Sequence, residues 1–127
     1  MKLLLNTQAF LWFLLDDERL STPARTAIVQ TETLYLSPAS HWEIAIKIAL
    51  GKYALPEPFA QFMGRELTNN NMTILPIELS HTAQLTTLPF HHRDPFDRLI
   101  IAQALAEELP IVSIDAKFDA YGVKRVW

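Results

Sequence analysis

The sequence predicts an α/β fold, a three-layer α/β/α sandwich with a mainly parallel central sheet flanked by helices. Short apolar runs typical of buried strands alternate along the chain with longer segments of helical periodicity. Strands that alternate with helices pair in parallel through crossover helices, which then cover both faces of the sheet. Of the 127 residues, 50% are hydrophobic, which suits one core. We therefore expect a single domain over residues 1–127.

The first half of the chain is predicted to contain two strands and three helices. In order, these are a strand at 2–5, a helix at 9–15, a helix at 21–30, a strand at 34–37 and a helix from 40 to about 50. Ser21 is the predicted cap of the second helix, with Pro23 in its first turn, where proline removes no hydrogen bond. Ser40 is predicted to open the third helix, and Gly51 stands where its C-terminal cap belongs.

The second half is predicted to contain three helices and three strands. In order, these are a helix from 59 to about 67, a strand at 73–76, a short helix from 80, a long helix begun by Asp94-Pro95, a strand at 111–114 and an edge strand at 124–127. Asp115 directly follows a predicted strand, as Asn6 follows the strand at 2–5. Functional sites of parallel sheets lie outside the carboxyl ends of the strands, so both residues are predicted to lie at such a site.

Composition excludes several classes of function. The chain has no cysteine, which rules out disulfides, a thiolate zinc site and a thiol nucleophile, and which favours a reducing compartment. Its net charge of -3 argues against general coating of nucleic acid, so any RNA contact is expected to be local. The apolar stretch at 1–5 is too short to span a membrane, and no small-residue cleavage site follows it. We expect a cytoplasmic protein without a membrane partner.

Four polar side chains are predicted to meet at the carboxyl edge of the sheet: Asn6, Glu43, Asp97 and Asp115. Oxygen ligands of this kind suit Mg²⁺ or Mn²⁺. Such an ion can activate a water toward a phosphodiester, so that no serine or cysteine nucleophile is needed. Clustered carboxylates also repel one another unless a cation joins them. The sequence therefore predicts a divalent metal site that cleaves phosphodiester bonds.

Each of these acids also has a local explanation that involves no metal. Glu43 could reach back to the backbone of Ser40 in a capping box. Asp97 could simply benefit from the dipole of a helix that Asp94 caps. Asp115 could form an Asx turn after its strand. The metal interpretation is favoured because all of them fall at strand ends or helix starts, which one sheet edge can bring together.

Four segments of the chain resemble a known family. They are Leu3–Thr7, Ala39–Lys47, His91–Arg98 and Ser113–Asp115. In this order they are similar to the PIN-domain VapC-type toxins of type II toxin–antitoxin systems. The resemblance covers essentially the whole chain, and its most specific blocks are residues 42–47 and 94–104.

The resemblance implies a Mg²⁺- or Mn²⁺-dependent endoribonuclease that is neutralised by a cognate VapB-type antitoxin and forms a homodimer. It implies catalytic and metal-binding roles for Glu43, Asp97, Asp115 and, with one departure, Asn6. Accessory candidates are Asp94, Asp119 and Ser113, and candidate RNA or antitoxin contacts are Arg93, Arg98 and Lys47. A solvated helix charge is the alternative explanation for each of these basic residues.

Position 6 departs from the family pattern. The family usually has Asp at the end of its first strand, in a pattern like Leu-Leu-Leu-Asp-Thr-His, whereas this chain has Asn6 followed by Thr7 and Gln8. An amide oxygen can ligate Mg²⁺ but brings no charge, so metal affinity is expected to be lower. Both an introduced change and natural drift toward weak activity are consistent with this substitution.

Two other functions compete with the nuclease. The first is a catalytically degenerate PIN module that acts only through antitoxin or operator-complex binding, and Asn6 is its main support. The second is a phosphotransfer protein, which needs an aspartate near the end of the first strand, where this chain has none. His91 and His92 lack the spacing of a helical zinc pair and are predicted to have a loop or interface role.

Overall fold

The computed structural model describes residues 1–127 and contains one five-stranded sheet. The strands are β1 (Lys2–Leu5), β2 (Thr33–Leu36), β3 (Met72–Ile74), β4 (Ile111–Val112) and β5 (Arg125–Val126). The helices are α1 (Thr7–Leu14), α2 (Thr22–Gln30), α3 (Pro38–Ala49), α4 (Phe59–Asn69), α5 (Leu79–Leu85) and α6 (Pro95–Glu107), and a 3₁₀ helix covers Ala116–Tyr121. None of the helices combines the length and the apolarity that crossing a membrane requires.

The sheet is entirely parallel, with the strand order β3-β2-β1-β4-β5. The central strand is β1, whose last residue, Leu5, pairs with Leu36 on one side and Val112 on the other. The residues that follow these three strands are Asn6, Ser37 and Ser113, and they therefore lie side by side along one edge. This topology confirms the predicted fold class.

Alternation along β1 divides the core into two apolar layers. Leu3 and Leu5 pack with residues of α1, α2 and α4 on one face of the sheet. Leu4 points to the opposite face and packs with residues of α6 and the 3₁₀ helix. All three leucines are fully buried. Because the sheet is covered on both faces, only its edges and the loops beyond the strand ends are open to a ligand.

Helix α3 begins earlier than the sequence analysis predicted. Ser37 is the N-cap, and its Oγ accepts a hydrogen bond from the backbone N–H of Ala39 at 3.0 Å. Pro38 is the first helical residue, a position for which its ring is preorganised. The prediction that Ser40 opens the helix is therefore wrong. Glu43 consequently lies in the second turn, too far along the helix to form a capping box, and that local explanation of its presence is excluded.

Strand β4 ends two residues before the predicted boundary at position 114. The hydroxyl of Ser113 accepts a hydrogen bond from the backbone N–H of Asp115 at 3.0 Å, which turns the chain away from the sheet. Asp115 then caps the 3₁₀ helix by accepting from the backbone N–H of Lys117 at 2.9 Å. The Asx turn considered for Asp115 is therefore present, and it places this carboxylate at the carboxyl edge of the sheet.

Candidate active site

A cavity of about 410 Å³ opens at the carboxyl edge of the sheet. Asn6 and four of the predicted acidic residues line it, namely Glu43, Asp94, Asp97 and Asp115. They come from the end of β1, the middle of α3, the start of α6 and the turn after β4. The structure thus brings together four carboxylates and one amide that are widely separated in the sequence.

Glu43 contributes a buried carboxylate with one oxygen left unpaired. The residue is 8% exposed, and its Oε2 lies 3.2 Å from the ammonium group of Lys47, one turn further along α3. Its Oε1 is buried and has no hydrogen-bond partner. A buried carboxylate oxygen without a donor is costly. A cation bound among these carboxylates would satisfy it, so this side chain fits a divalent metal site.

The pKa of Asp97 reflects the negative charge of the cavity. Burial, followed by repulsion from Asp94, Glu43 and Asp115, raises the pKa of this carboxyl to about 6, and attraction to His92 opposes the shift only partly. Three other acids are therefore close enough to disfavour its ionised form. A divalent cation reverses this effect, since it favours the ionised form of every carboxylate around it.

Asp115 is held by donors on both of its oxygens. Its Oδ1 accepts from the backbone N–H of Lys117 at 2.9 Å, and its Oδ2 lies 2.7 Å from Nε2 of His92. Burial alone would raise the pKa of this carboxyl, but these hydrogen bonds outweigh it and hold the pKa below its usual value. The contact with His92 was not predicted, because no local pattern links residues 23 positions apart.

Asn6 links the strand ends through its amide. Its Oδ1 caps α1 by accepting from the backbone N–H of Ala9 at 2.9 Å. Its Nδ2 donates to the Oγ of Ser113 at 2.9 Å. Since only the oxygen can accept the helix-cap hydrogen bond, the orientation of the amide is determined by its partners. Ser113 is fully buried and also accepts from Asp115, so it acts here as a structural link between the two strand ends.

Four predicted site residues do not line the cavity: Ser113, Arg93, Arg98 and Asp119. Two of these, Arg98 and Asp119, bind other groups of the protein. Arg98 is buried and donates to the backbone carbonyls of Pro89 at 2.8 Å and Leu88 at 3.1 Å, so its guanidinium is not available to RNA or an antitoxin. Asp119 lies in the 3₁₀ helix and pairs with Arg125 at 2.9 Å on the surface. In both cases another group of the protein binds the charged side chain away from the cavity.

The other predicted basic residues lie beside the acids. Lys47 lines the cavity and pairs with Glu43. Arg93 lies in an adjoining groove that shares Glu43, Lys47 and Asp94 with the cavity, and Lys52 lies in the same groove. Cationic side chains therefore stand along one side of an acidic centre, an arrangement that can contact a phosphate backbone on its way to the carboxylates.

A second group of ligating side chains lies away from this cavity. The ligand atoms of Glu78, His81 and Glu107 all lie within 4.8 Å of one another, which by distance could hold a metal ion. Both ring nitrogens of His81 are already used, since Nδ1 accepts from the backbone of Glu78 at 3.0 Å and Nε2 lies 2.9 Å from Glu107. These hydrogen bonds explain the group as a link between α5 and α6.

We expect the raised pKa of Asp97 to make the metal-free protein less stable as the pH rises. Protonation favours the folded state, so this contribution is fully present below the ordinary pKa of 3.8 and is lost as the pH rises through about 6. After discounting for partial exposure, its size is on the order of 1 kcal/mol. Urea unfolding in EDTA across this pH range measures it. The Asp97→Asn variant should lack this contribution, and identical pH profiles for both proteins would contradict the prediction.

The chain is similar in sequence to a known protein family and to a named relative. Residues 3–124 match a protein-family model described as the PIN domain. Ribonuclease VapC16 of Mycobacterium tuberculosis is 41% identical over 59 residues, and the match covers 45% of this chain and 42% of that protein.

Solved structures show the same fold at low sequence identity. The complex titled VapBC2 from Rickettsia felis bound to a DNA fragment from their promoter contains a chain that matches with a TM-score of 0.72 and 15% identity, covering 100% of both chains. FitAcB from Neisseria gonorrhoeae contains one with a TM-score of 0.66 and 18% identity, covering 97% of this chain and 95% of the other.

Proposed function

The chain belongs to the PIN domain family, and from this premise we propose that it is a Mg²⁺- or Mn²⁺-dependent endoribonuclease, the toxin of a toxin–antitoxin pair. The observation that carries the proposal is the shared cavity, in which Glu43 has a buried unpaired oxygen and Asp97 has a raised pKa. The name of the similar protein from Mycobacterium tuberculosis supports RNA as the substrate. We take residues 1–127 as a single PIN domain.

Glu43, Asp97 and Asp115 are the proposed catalytic residues and metal ligands, with a weaker contribution from the amide oxygen of Asn6. When bound, a divalent ion supplies an activated water and a positive charge opposite the phosphate. The carboxylates would hold and orient that ion, and Mg²⁺ needs only a few of them because it keeps several of its waters. Asp94 adds negative charge while it caps α6 by accepting from the backbone N–H of Phe96 at 2.8 Å.

The groove beside the cavity is the proposed path of the RNA backbone. Lys47 and Arg93 lie there within the reach of a phosphate that approaches the carboxylates. The protein carries a net charge of -3, so these few cations must provide most of the phosphate attraction. We therefore propose short, local contacts with single-stranded RNA, whose bases are accessible without opening a duplex.

A VapB-type antitoxin is the proposed protein partner. The cavity continues from the carboxylates onto an apolar surface formed by Leu11, Trp12, Leu15 and Tyr53. A segment with apolar side chains followed by a basic residue would cover this surface and neutralise the acids. The fold-sharing chain from Rickettsia felis belongs to a complex named VapBC2, which is consistent with such a partner.

We also propose a homodimer that acts in the cytoplasm. Helix α3 exposes 57% of Trp42, and Leu50 at its end is 63% exposed, which leaves apolar area for a second copy. Light scattering of the chain alone and with its antitoxin distinguishes a monomer, a dimer and the mixed complex. A monomer at micromolar concentration would contradict the dimer and leave the nuclease proposal unaffected.

A catalytically degenerate PIN module is the second candidate function. It is favoured by Asn6, whose amide already has a structural task, since it caps α1 and donates to Ser113. Such a module would still bind the antitoxin through the apolar surface of the cavity, but it would neither bind Mn²⁺ nor cleave RNA.

Removal of the metal tests the nuclease proposal directly. We expect cleavage of single-stranded RNA in MgCl₂ or MnCl₂, loss of cleavage in EDTA and recovery when Mn²⁺ is added in excess, because the carboxylates repel one another without a cation. Gel analysis of a labelled RNA, with a structured RNA beside it, gives the measurement. Cleavage that persists in EDTA would contradict the metal-dependent mechanism, and intact RNA under every condition would favour the degenerate module.

A further inference from the structure

His92 is buried between an acid of the cavity and a tyrosine. Its side chain is 8% exposed and lies in the loop before α6. Nε2 lies 2.7 Å from Oδ2 of Asp115, and Nδ1 lies 3.0 Å from the hydroxyl of Tyr121. The imidazole stacks on the ring of Tyr121 with centroids 5.5 Å apart and meets Phe118 edge-on at 5.1 Å. Packing and hydrogen bonds thus hold the imidazole in one orientation.

The hydrogen bond to Asp115 determines that Nε2 of His92 carries a hydrogen. An ionised carboxylate only accepts, so Nε2 must carry the hydrogen that it donates to Asp115. Nδ1 forms its hydrogen bond with the hydroxyl of Tyr121, which can either donate or accept. Both ring nitrogens therefore have a partner, and Nε2–H points to the acid.

His92 restrains Asp115 from outside the turn in which Asp115 lies. The hydrogen bond from Lys117 to Oδ1 is local to the cap of the 3₁₀ helix. The hydrogen bond from His92 to Oδ2 comes from the loop before α6 and restrains the rotation of the carboxylate. Each oxygen then has one hydrogen bond and keeps further acceptor capacity for a cation in the cavity.

The loop that carries His92 is itself anchored to α6. Arg98, which is buried, donates to the carbonyls of Leu88 and Pro89 and places its guanidinium 3.9 Å from the ring centroid of Phe90. A buried arginine with this many partners restrains the backbone just before position 92. The position of His92 is therefore set by the same helix that presents Asp97 to the cavity.

We propose that His92 is a positioning residue, which uses Nε2–H to hold the carboxylate of Asp115 in the orientation that ligates the divalent ion. Tyr121 supports it by holding the ring in place through stacking and the hydrogen bond to Nδ1. This inference rests on the proposed function, because it takes Asp115 to be a metal ligand. A general role for such partners is to orient a ligating group and tune its affinity, and their loss typically weakens metal binding by about 10-fold to 100-fold.

Mn²⁺ affinity, measured by titration calorimetry on the full chain, gives the first test. We expect His92→Ala to bind Mn²⁺ about 10-fold more weakly and His92→Gln, whose amide N–H falls near the position of Nε2, to recover most of that loss. His91→Ala is the matched control, because His91 is exposed and contacts Tyr121 through its ring without reaching Asp115. Equal affinity in His92→Ala and the unsubstituted protein, or equal losses in the alanine and glutamine variants, would overturn the proposal.

A double-substitution cycle separates positioning from general stability. In the Asp115→Asn background, His92→Ala should change Mn²⁺ affinity by less than about 2-fold, since the group that it orients is already lost. In cleavage assays, His92→Ala should lower kcat at saturating Mn²⁺ and leave KM for RNA nearly unchanged. Additive effects in the cycle would contradict the coupling between the two residues.

NMR of the His92 ring nitrogens in the metal-free protein tests the positioning role separately from the proposed nuclease function. We expect signals of a His92 ring that carries a hydrogen on Nε2, and a shift of those signals in Asp115→Asn and in Tyr121→Phe. The Tyr121→Phe variant keeps the ring packing, so it remains informative if His92→Ala does not fold. Unchanged His92 signals in Asp115→Asn would overturn the positioning role. Absence of Mn²⁺ binding in the unsubstituted and Asn6→Asp proteins would instead contradict the proposed function.

Discussion

The Asp97→Asn variant should lose RNA cleavage by about 10²-fold to 10³-fold in kcat/KM, which corresponds to roughly 3–4 kcal/mol of transition-state stabilisation. Asp97 lies in the first turn of α6 and lines the cavity with the other acids. Removal of its charge weakens the hold on the divalent ion. The same change relieves burial and repulsion of a carboxylate whose pKa is raised to about 6, so the metal-free variant should be more stable above that pH.

The combination of lost activity and gained stability distinguishes a functional acid from a structural one. Cleavage of labelled RNA in Mn²⁺ and urea unfolding in EDTA measure the two effects. Asp119→Asn is the matched control, because Asp119 pairs with Arg125 outside the cavity and the same chemical change there should leave cleavage intact. An Asp97→Asn protein that cleaves RNA at the original rate would remove Asp97 from the proposed site.

The Asn6→Asp variant should bind Mn²⁺ at least about 10-fold more tightly and cleave RNA correspondingly faster. A unit negative charge about 4 Å from the ion stabilises its binding by roughly 4 kcal/mol at an effective dielectric near 20, and solvent screening reduces this value. The fold should tolerate the change, since aspartate is also a good N-cap for α1. The hydrogen bond with Ser113 reverses its direction, because the serine hydroxyl can donate where the amide of Asn6 donated before.

The metal-free Asn6→Asp protein should also be less stable than the unsubstituted chain, because a further carboxylate joins Glu43, Asp97 and Asp115. Added Mn²⁺ should reverse the order of stability. Calorimetry, RNA cleavage and thermal unfolding with and without Mn²⁺ measure these effects. Asn69→Asp, an exposed position at the end of α4, makes the same change in net charge away from the cavity. Equal metal affinity and activity in the Asn6→Asp and unsubstituted proteins would refute a ligand role for position 6.

Most of the fold was predictable because it follows from local patterns. The strand at 2–5 and the helix capped by Ser21 lie where apolar periodicity and cap residues place them. The N-cap of α3 was misplaced by three residues, since both Ser37 and Ser40 are suitable caps and Pro38 decides between them. That small difference excludes the capping box as the explanation of Glu43.

The composition of the site was less predictable than its location. The acids could be assigned to the carboxyl edge of the sheet because each was predicted to follow a strand or to begin a helix, although Glu43 lies in the second turn of α3. Arg98 and Asp119 looked equally available in the sequence, yet the structure engages Arg98 with the carbonyls of Leu88 and Pro89 and engages Asp119 with Arg125. His92 showed no pattern that would connect it with Asp115.

The sequence by itself determined the α/β class, the parallel sheet, the family and the edge at which polar residues collect. These features depend on interactions between residues that are close in sequence. Apolar residues recur every two positions in strands and every 3.6 in helices, and both periods are visible in the chain. Only the tertiary structure decided which charged groups face the cavity and which find partners elsewhere. The contacts that settle this join residues far apart in sequence, such as Asn6 with Ser113 and His92 with Asp115, and packing alone determines them.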